Sequence, residues 1–316
     1  MDLKYHVLEY LKKSSVPWIK YNLGFCDADE VLMDERIQQL IAEAKCKDDI
    51  VLKRHNDAKH PMHKTALLAD LGLTKEHRDI AIIAENIMKH QNEFGAFLSM
   101  QNIPSNFGGT GRDEYEWVLC DFPTYLYSLI KFGYKDDERV IKAVGFLKSM
   151  AQDNGFGCAS SIPKFNGPGK RSDHCPYSNL IALKVFSLMP EYHSEEFIIK
   201  AINELLNMWR TQGKRKYRMF GIGTDFRKLK FPNIWFTIVH VLTGLSYYEY
   251  ARKSPEFREM LEVIANKQTG LGGFIPESIY MNFKPFDFGQ KKVESDTLTY
   301  QIYTIFNRLL DCTLNE

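Results

Sequence analysis

The residues best suited to chemistry stand where two predicted helices begin. Asp173, His174 and Cys175 precede one of these helices, and Cys120 and Asp121 precede the equivalent helix one repeat earlier. A helix N-terminus favours thiolate over thiol and so lowers the pKa of Cys175. Thiolate, carboxylate and imidazole groups also bind zinc, and a zinc ion with an open fourth position is catalytic. We therefore predict Asp121, Asp173, His174 and Cys175 as catalytic residues, and Cys120, Asp173 and Cys175 as metal ligands.

A structural role is the competing interpretation of these side chains. Cysteines of a reduced protein are commonly buried small apolar residues. His60 and His63 flank the proline of another helix start, and we interpret them as rim or capping residues rather than zinc ligands.

Two further groups of residues are predicted to bind substrate. Three aromatic side chains would line the wall of a cavity: Trp117, Tyr177 and Trp235. Three basic side chains crowd one long loop: Lys214, Arg215 and Arg218. Basic groups in such a loop can hold a diphosphate or another anion. A solvated basic loop without a ligand is the alternative interpretation.

A recurring helix start organises the chain. Apolar stretches at helical spacing begin with proline at positions 17, 61, 123, 176 and 232, and a sixth begins at Ser295. Proline suits the first turn of a helix, where its missing N–H has no partner to lose. Amphipathic helices are predicted between these stretches, near 3–13, 34–45, 78–90, 138–151, 195–210 and 256–267. No convincing strand is predicted.

Alternation of six deeper and six outer helices predicts an all-α fold, a two-layered helical barrel formed as a single domain over residues 1–316. An open solenoid is the alternative architecture. The connections from outer to inner helices are long, at about 91–120, 152–174, 211–231 and 268–294. Alternating helices bring all four to one rim, beside the N-termini of the inner helices. Long loops of this kind are usually functional.

A second motif marks the beginning of three of these loops. Glutamine is followed by glycine and an aromatic residue at 91–97, 152–157 and 268–274. This resembles the repeat of the terpenoid cyclase and protein prenyltransferase superfamily, the α/α toroids. The resemblance implies a central apolar cavity for an isoprenoid-like substrate. The stretch 173–178 is similar to the Asp-x-Cys-Tyr-Ser stretch of prenyltransferase β subunits, in which Asp and Cys bind zinc. The acidic motifs of terpene cyclases have no counterpart on a predicted inner helix.

The composition limits the kinds of binding partner and the cellular location that we expect for the protein. The 316 residues include 41 Lys and Arg against 40 Asp and Glu, so a globally basic nucleic-acid binder is not expected. Apolar residues make up 44% and charged residues 26%, which argues against disorder. We expect no transmembrane segment and no signal peptide. Six scattered cysteines favour reduced thiols and a cytoplasmic location.

The leading hypothesis is therefore a prenyltransferase-like or terpenoid cyclase-like enzyme with a deep central cavity and a metal at Asp173 and Cys175. One alternative is a toroid that binds a lipid or a protein without catalysis. Another is a carbohydrate-processing barrel that uses a carboxylate pair drawn from Glu114, Glu116 and Asp121. The binder predicts no convergent titratable groups, whereas the glycosidase predicts an open polar groove.

Overall fold

A computed structural model describes residue 3 and residues 6–46, 50–165, 175–212, 220 and 222–310. The fold is mostly helical, with 53% helix and 6% strand. The predicted all-α class is confirmed as far as the mostly helical content goes. The closed toroid stays a prediction. Among the described residues, no helix combines the length and the apolar character needed to cross a membrane.

The described part of the chain contains fifteen α-helices and one two-stranded sheet. The helices are α1 Val7–Leu11, α2 Pro17–Asn22, α3 Ala28–Leu32, α4 Glu35–Lys45, α5 Pro61–Asp70, α6 Arg78–Met88, α7 Phe122–Leu129, α8 Glu138–Ser149, α9 Pro176–Phe186, α10 Glu196–Arg210, α11 Thr224–Arg227, α12 Ile238–Leu245, α13 Glu249–Arg252, α14 Pro255–Ala265 and α15 Asp296–Leu310. The strands are β1 Ser99–Asn102 and β2 Asp113–Glu116, which pair antiparallel.

The expectation of no strands was wrong for this hairpin. Each strand has only four residues, and both are rich in polar side chains: SMQN and DEYE. Neither segment has the β-branched apolar residues that mark a strand in a sequence.

The chain divides into two compact units. The first takes its described residues from Met1–Arg36, Leu206–Lys216 and Phe220–Glu316, and the second takes most of its residues from Ile37–Leu205. In the first unit, α12 packs against α14 and α15. In the second unit, α7 packs between α5 and α9, and α9 is buried along its whole length.

Most predicted helix starts are confirmed. Proline occupies the first turn of α2, α5, α7 and α9, and the Ser295 hydroxyl caps α15 by accepting from the Leu298 amide at 3.1 Å. The start at Pro232 was wrong, because α12 begins only at Ile238, after the cap Thr237. The residues after Pro232 form a tight turn instead, in which the Ile234 amide donates to the Pro232 carbonyl at 2.9 Å.

Two of the long loops meet beside two helix starts, as the alternation of helices predicted. The Leu119 amide donates to the Ala159 carbonyl at 2.8 Å, and the Ser161 amide donates to the Trp117 carbonyl at 3.1 Å. These bonds join the loop that enters α7 to the loop that enters α9. The residues immediately before the two helices are therefore neighbours.

Candidate functional site

Two cysteines face each other at the N-termini of α7 and α9. The Cys120 and Cys175 sulfur atoms are 3.8 Å apart, and both side chains are buried. Cys175 is the N-cap of α9, and its sulfur accepts from the Ser178 amide at 3.5 Å. The Ser178 hydroxyl lies 3.1 Å from the Cys120 sulfur. The predicted proximity of these two cysteines is therefore present in the fold.

The start of α9 is held in place by one buried amide side chain. Asn179 donates to the carbonyls of Phe156 and Cys175, each at 3.0 Å, and accepts from the Phe156 amide at 3.0 Å. Gly155 has φ +85°, and a Cβ there would lie 2.3 Å from the Asn179 side-chain oxygen. Only glycine permits this approach without a shift. The loop before α9 is thereby locked to the turn that carries Cys175.

The two buried thiols have opposite acidities. Hydrogen bonds from Cys120 and Cys158 hold the pKa of Cys175 well below its usual range, against burial, and Ser178 adds a further donor. Hydrogen bonding to Cys158 and Cys175, together with burial, holds the pKa of Cys120 well above its usual range. These interactions favour the thiolate form of Cys175 and the protonated form of Cys120. Cys158 is exposed, so the cluster extends to the surface.

A carboxylate–imidazole pair completes the site. Asp121 is fully buried at the start of α7, and its oxygens lie 2.8 and 3.0 Å from Nδ1 of His55. Burial opposes a charge on His55, but the charge and hydrogen bond of Asp121 outweigh burial and raise its pKa. The negative charge of Cys175 adds to this effect. The His55 side chain is 34% exposed, so it connects a buried carboxylate with solvent.

His63 fixes the backbone of His55. Its Nε2 lies 2.8 Å from the His55 carbonyl oxygen, so the ring donates there. His60 is the N-cap of α5 and accepts from the Met62 amide at 3.3 Å. The capping interpretation of His60 is confirmed, and His63 has a positioning role.

Sequence reasoning missed His55 itself. It lies in an irregular connection, where no helical or strand periodicity indicates which way a side chain points. The available signal was its place in a short run of three histidines before and within α5: His55, His60 and His63.

The predicted aromatic residues occupy different environments. Trp117 is largely buried and packs edge-to-face on Phe122 and Phe146, with ring centroids 5.9 and 5.1 Å away. Tyr177 is buried within α9. Trp235 belongs to the first unit, where it stacks on Phe220 at 5.4 Å. Trp117 and Tyr177 thus accompany Cys120 and Cys175 in the second unit, and a common cavity wall stays a prediction.

Several predicted site residues lie outside the described residues. These are Asp173, His174, Lys214, Arg215 and Arg218.

Only part of the predicted zinc ligand set lies among the described residues. Two thiolates on one tetrahedral zinc are about 3.8 Å apart, since each Zn–S bond is about 2.3 Å. The distance between Cys120 and Cys175 matches that geometry. Within the described ranges, however, no group of three or more His, Cys, Asp or Glu side chains is arranged to hold a metal ion. The described donors alone do not complete a zinc site.

The carboxylates considered for carbohydrate chemistry are already engaged. Glu114 accepts from the Thr110 hydroxyl at 2.8 Å, and Glu116 accepts a short bond from the Ser161 hydroxyl. Asp121 is committed to His55. Each carboxylate therefore has its own partner, and the Glu114 and Glu116 contacts join loop residues to β2.

Comparison with known proteins gave no match, either to any protein-family model or to any curated protein sequence.

Proposed function

We propose that the protein is a group-transfer enzyme in which Cys175 is the nucleophile and His55, oriented by Asp121, moves the proton. The observation that carries this proposal is the Asp121–His55 pair at 2.8 Å, beside a cysteine that caps the start of α9. Nucleophile, base and orienting carboxylate are the parts of covalent catalysis. All three residues come from the second unit.

The step best suited to these groups is acyl transfer. The Cys175 thiolate adds to a carbonyl carbon, and the electron pair of the C=O bond moves to oxygen. Collapse of that intermediate forms a thioester and breaks the bond to the leaving group, which takes a proton from His55. An acceptor hydroxyl, amine or water then gives its proton to His55, attacks the thioester and regenerates the thiolate.

An apolar substrate chain is the preferred partner for this site. Trp117 and Phe122 lie on either side of Cys120 and Asp121 along the chain, and Phe146 of α8 packs against both of these rings. Aromatic faces pack well against hydrocarbon chains. The predicted isoprenoid-like ligand and the central cavity are kept in this proposal as the substrate class and its binding region.

The nucleophile can be tested by alkylation with iodoacetamide followed by peptide mass mapping. The readout is the pH profile of modification rather than its absolute rate, because Cys175 is only 5% exposed. We expect Cys175 to react at about pH 7, where Cys26 is unreactive, because burial and Glu30 raise the pKa of Cys26 to about 11. His55→Gln removes the neighbouring positive charge and shifts the Cys175 profile to higher pH. Equal profiles for Cys175 and Cys26 would contradict the proposal.

Zinc-assisted prenyl transfer is the second candidate. It is favoured by the 3.8 Å distance between the Cys120 and Cys175 sulfur atoms. Asp173 would supply a further donor, as the resemblance to prenyltransferases implies. Elemental analysis of protein purified without chelator separates the two candidates. Stoichiometric zinc that is lost in Cys120→Ser and Cys175→Ser would favour the prenyltransferase over the thiol nucleophile.

The non-catalytic binder and the carbohydrate-processing barrel have less support. The binder predicts no convergent titratable groups, whereas Cys175, His55 and Asp121 interact electrostatically. A glycosidase needs two carboxyl groups about 5–10 Å apart that can reach a sugar. Glu114 and Glu116 instead accept hydrogen bonds from neighbouring hydroxyl groups.

A further inference from the structure

Three cysteines lie together where the loops before α7 and α9 meet. The Cys120 and Cys175 sulfur atoms are 3.8 Å apart, and these side chains are 4% and 5% exposed. The Cys158 thiol is exposed and is hydrogen-bonded to both of them. Acyl transfer uses only Cys175 as its nucleophile. The two neighbouring thiols therefore have no part in that reaction.

Backbone hydrogen bonds hold the three cysteines beside one another. The Cys175 amide donates to the Phe156 carbonyl at 3.0 Å, and the Leu119 amide donates to the Ala159 carbonyl at 2.8 Å. Cys158 stands between Phe156 and Ala159 in the chain, so its loop is tied to both helix starts. The cluster of thiols is thus built into the backbone of the second unit.

The two buried sulfur atoms are close enough to form a disulfide bond. Because this bond is about 2.05 Å long, each sulfur must move by only about 0.9 Å from the present separation of 3.8 Å. The movement would disturb Ser178, whose amide lies 3.5 Å from the Cys175 sulfur and whose hydroxyl lies 3.1 Å from the Cys120 sulfur. Oxidation therefore needs changes in side-chain dihedral angles and the loss of weak contacts.

We propose that Cys120 and Cys175 form a reversible disulfide when a hydroperoxide oxidises the site. The Cys175 sulfur attacks one peroxide oxygen and the O–O bond breaks, which gives a sulfenic acid. The thiol proton leaves with the other oxygen as water or an alcohol. The Cys120 sulfur then attacks the Cys175 sulfur, and the displaced hydroxide takes the Cys120 proton and leaves as water. Two thiols are oxidised and one hydroperoxide is reduced.

The disulfide acts as a switch on the proposed reaction. Cys175 in a disulfide has no thiolate to add to a carbonyl carbon, so acyl transfer stops until a dithiol restores both thiols by exchange. This consequence rests on the proposed function, whereas formation of the disulfide requires only the two neighbouring thiols. The exposed Cys158 marks the side of the cluster that faces solvent, from which both peroxide and reductant approach.

Disulfide formation is tested on the full-length, metal-free chain treated with hydrogen peroxide. Remaining thiols are blocked with iodoacetamide under denaturing conditions, and the digested protein is mapped by mass spectrometry without reductant. We expect a linked peptide pair that contains Cys120 and Cys175 and is lost after treatment with dithiothreitol. Cys158→Ser should still form this pair. The control Cys26→Ser changes a thiol of the first unit and should leave the yield unchanged.

A variant without the second thiol tests the order of the two steps. In Cys120→Ser the oxidation of Cys175 should stop at a sulfenic acid that dimedone traps, or continue to a sulfinic acid that dithiothreitol does not reverse. A linked pair that joins Cys158 to either buried cysteine, in place of the expected pair, would overturn the proposal. Oxidation of Cys158 alone would also overturn it.

The same samples separate this inference from the proposed function. If Cys175 is alkylated at about pH 7 but forms no disulfide with Cys120, the inference is wrong and the proposed nucleophile stands. If the disulfide forms although Cys175 and Cys26 have equal alkylation profiles, the inference stands and the proposed nucleophile is wrong.

Discussion

His63 makes the stability of the protein depend on pH in a calculable way. Burial and the neighbouring His60 lower the pKa of His63 to about 4, and its ring donates to the His55 carbonyl at 2.8 Å. In the unfolded chain the same imidazole has an ordinary pKa of about 6.5. At a pH between these two pKa values, His63 is protonated in the unfolded chain but neutral in the folded protein. Stability from neutral His63 is therefore complete above pH 6.5 and is lost as the pH falls toward 4.

The magnitude follows from the two pKa values. A difference between about 4 and 6.5 corresponds to about 3 kcal/mol of unfolding free energy. The raised pKa of His55 acts in the opposite direction, because protonation of His55 is favoured in the folded protein. His55 and the carboxylates also make the unfolding free energy depend on pH. Their contribution cancels when the wild type is compared with a His63 variant, because both proteins contain them.

Urea unfolding of the wild type and of His63→Gln, measured from about pH 7.5 to pH 4, tests this reasoning. Glutamine keeps an N–H donor for the His55 carbonyl but does not titrate. The stability advantage of the wild type should shrink by about 3 kcal/mol across this range. The control His6→Gln changes an exposed histidine and should parallel the wild type. An advantage that is constant with pH, or that grows in acid, would refute the argument.

Three other substitutions probe the site and the core around it. Asp121→Asn should lower the pKa of His55, measured by NMR titration of its ring protons, and an unchanged value would mean that the pair at 2.8 Å does not control His55. Asn179→Ala should cost about 2–4 kcal/mol in chemical unfolding, because it leaves the buried Phe156 amide without its acceptor and removes two further hydrogen bonds, and a loss below about 1 kcal/mol would contradict that role. Lys184→Met should cost about 3 kcal/mol, because the largely buried Asp70 carboxylate loses the cation 3.9 Å away. The double variant Asp70→Asn/Lys184→Met should recover most of that loss, and failure to recover would assign Lys184 a packing role instead.

Helix positions were the most predictable part of the fold, because their signals are local. The first-turn prolines at 17, 61 and 176 each sit in a helix that begins where the sequence predicts. Pro232 carried the same signal without a helix, because the chain turns back on itself at Ile234 and Thr237 provides a better cap. A proline indicates a permitted helix start, whereas the cap that follows decides where the helix begins.

The sequence predicted only those parts of the candidate site that follow from the repeated helix starts. Cys120 and Cys175 occupy equivalent helix starts in consecutive repeats, so their proximity could be anticipated from spacing. His55 could not be anticipated, because its contact with Asp121 joins residues 66 positions apart through an irregular segment. The donors around Cys175 also depend on how two loops pair in three dimensions. Periodicity gives the scaffold, whereas the acid–base partner comes from tertiary contacts.

The ionisation of Cys175 at neutral pH is the central claim, and thiolate absorbance at about 240 nm measures it directly. The difference spectrum between metal-free wild type and Cys175→Ser should contain the signal of one thiolate at about pH 7. That signal should fall only in acid, because hydrogen bonds hold the pKa of Cys175 well below its usual range. A difference signal that is absent at about pH 7 and rises only above about pH 8.5, the ordinary thiol range, would contradict the account.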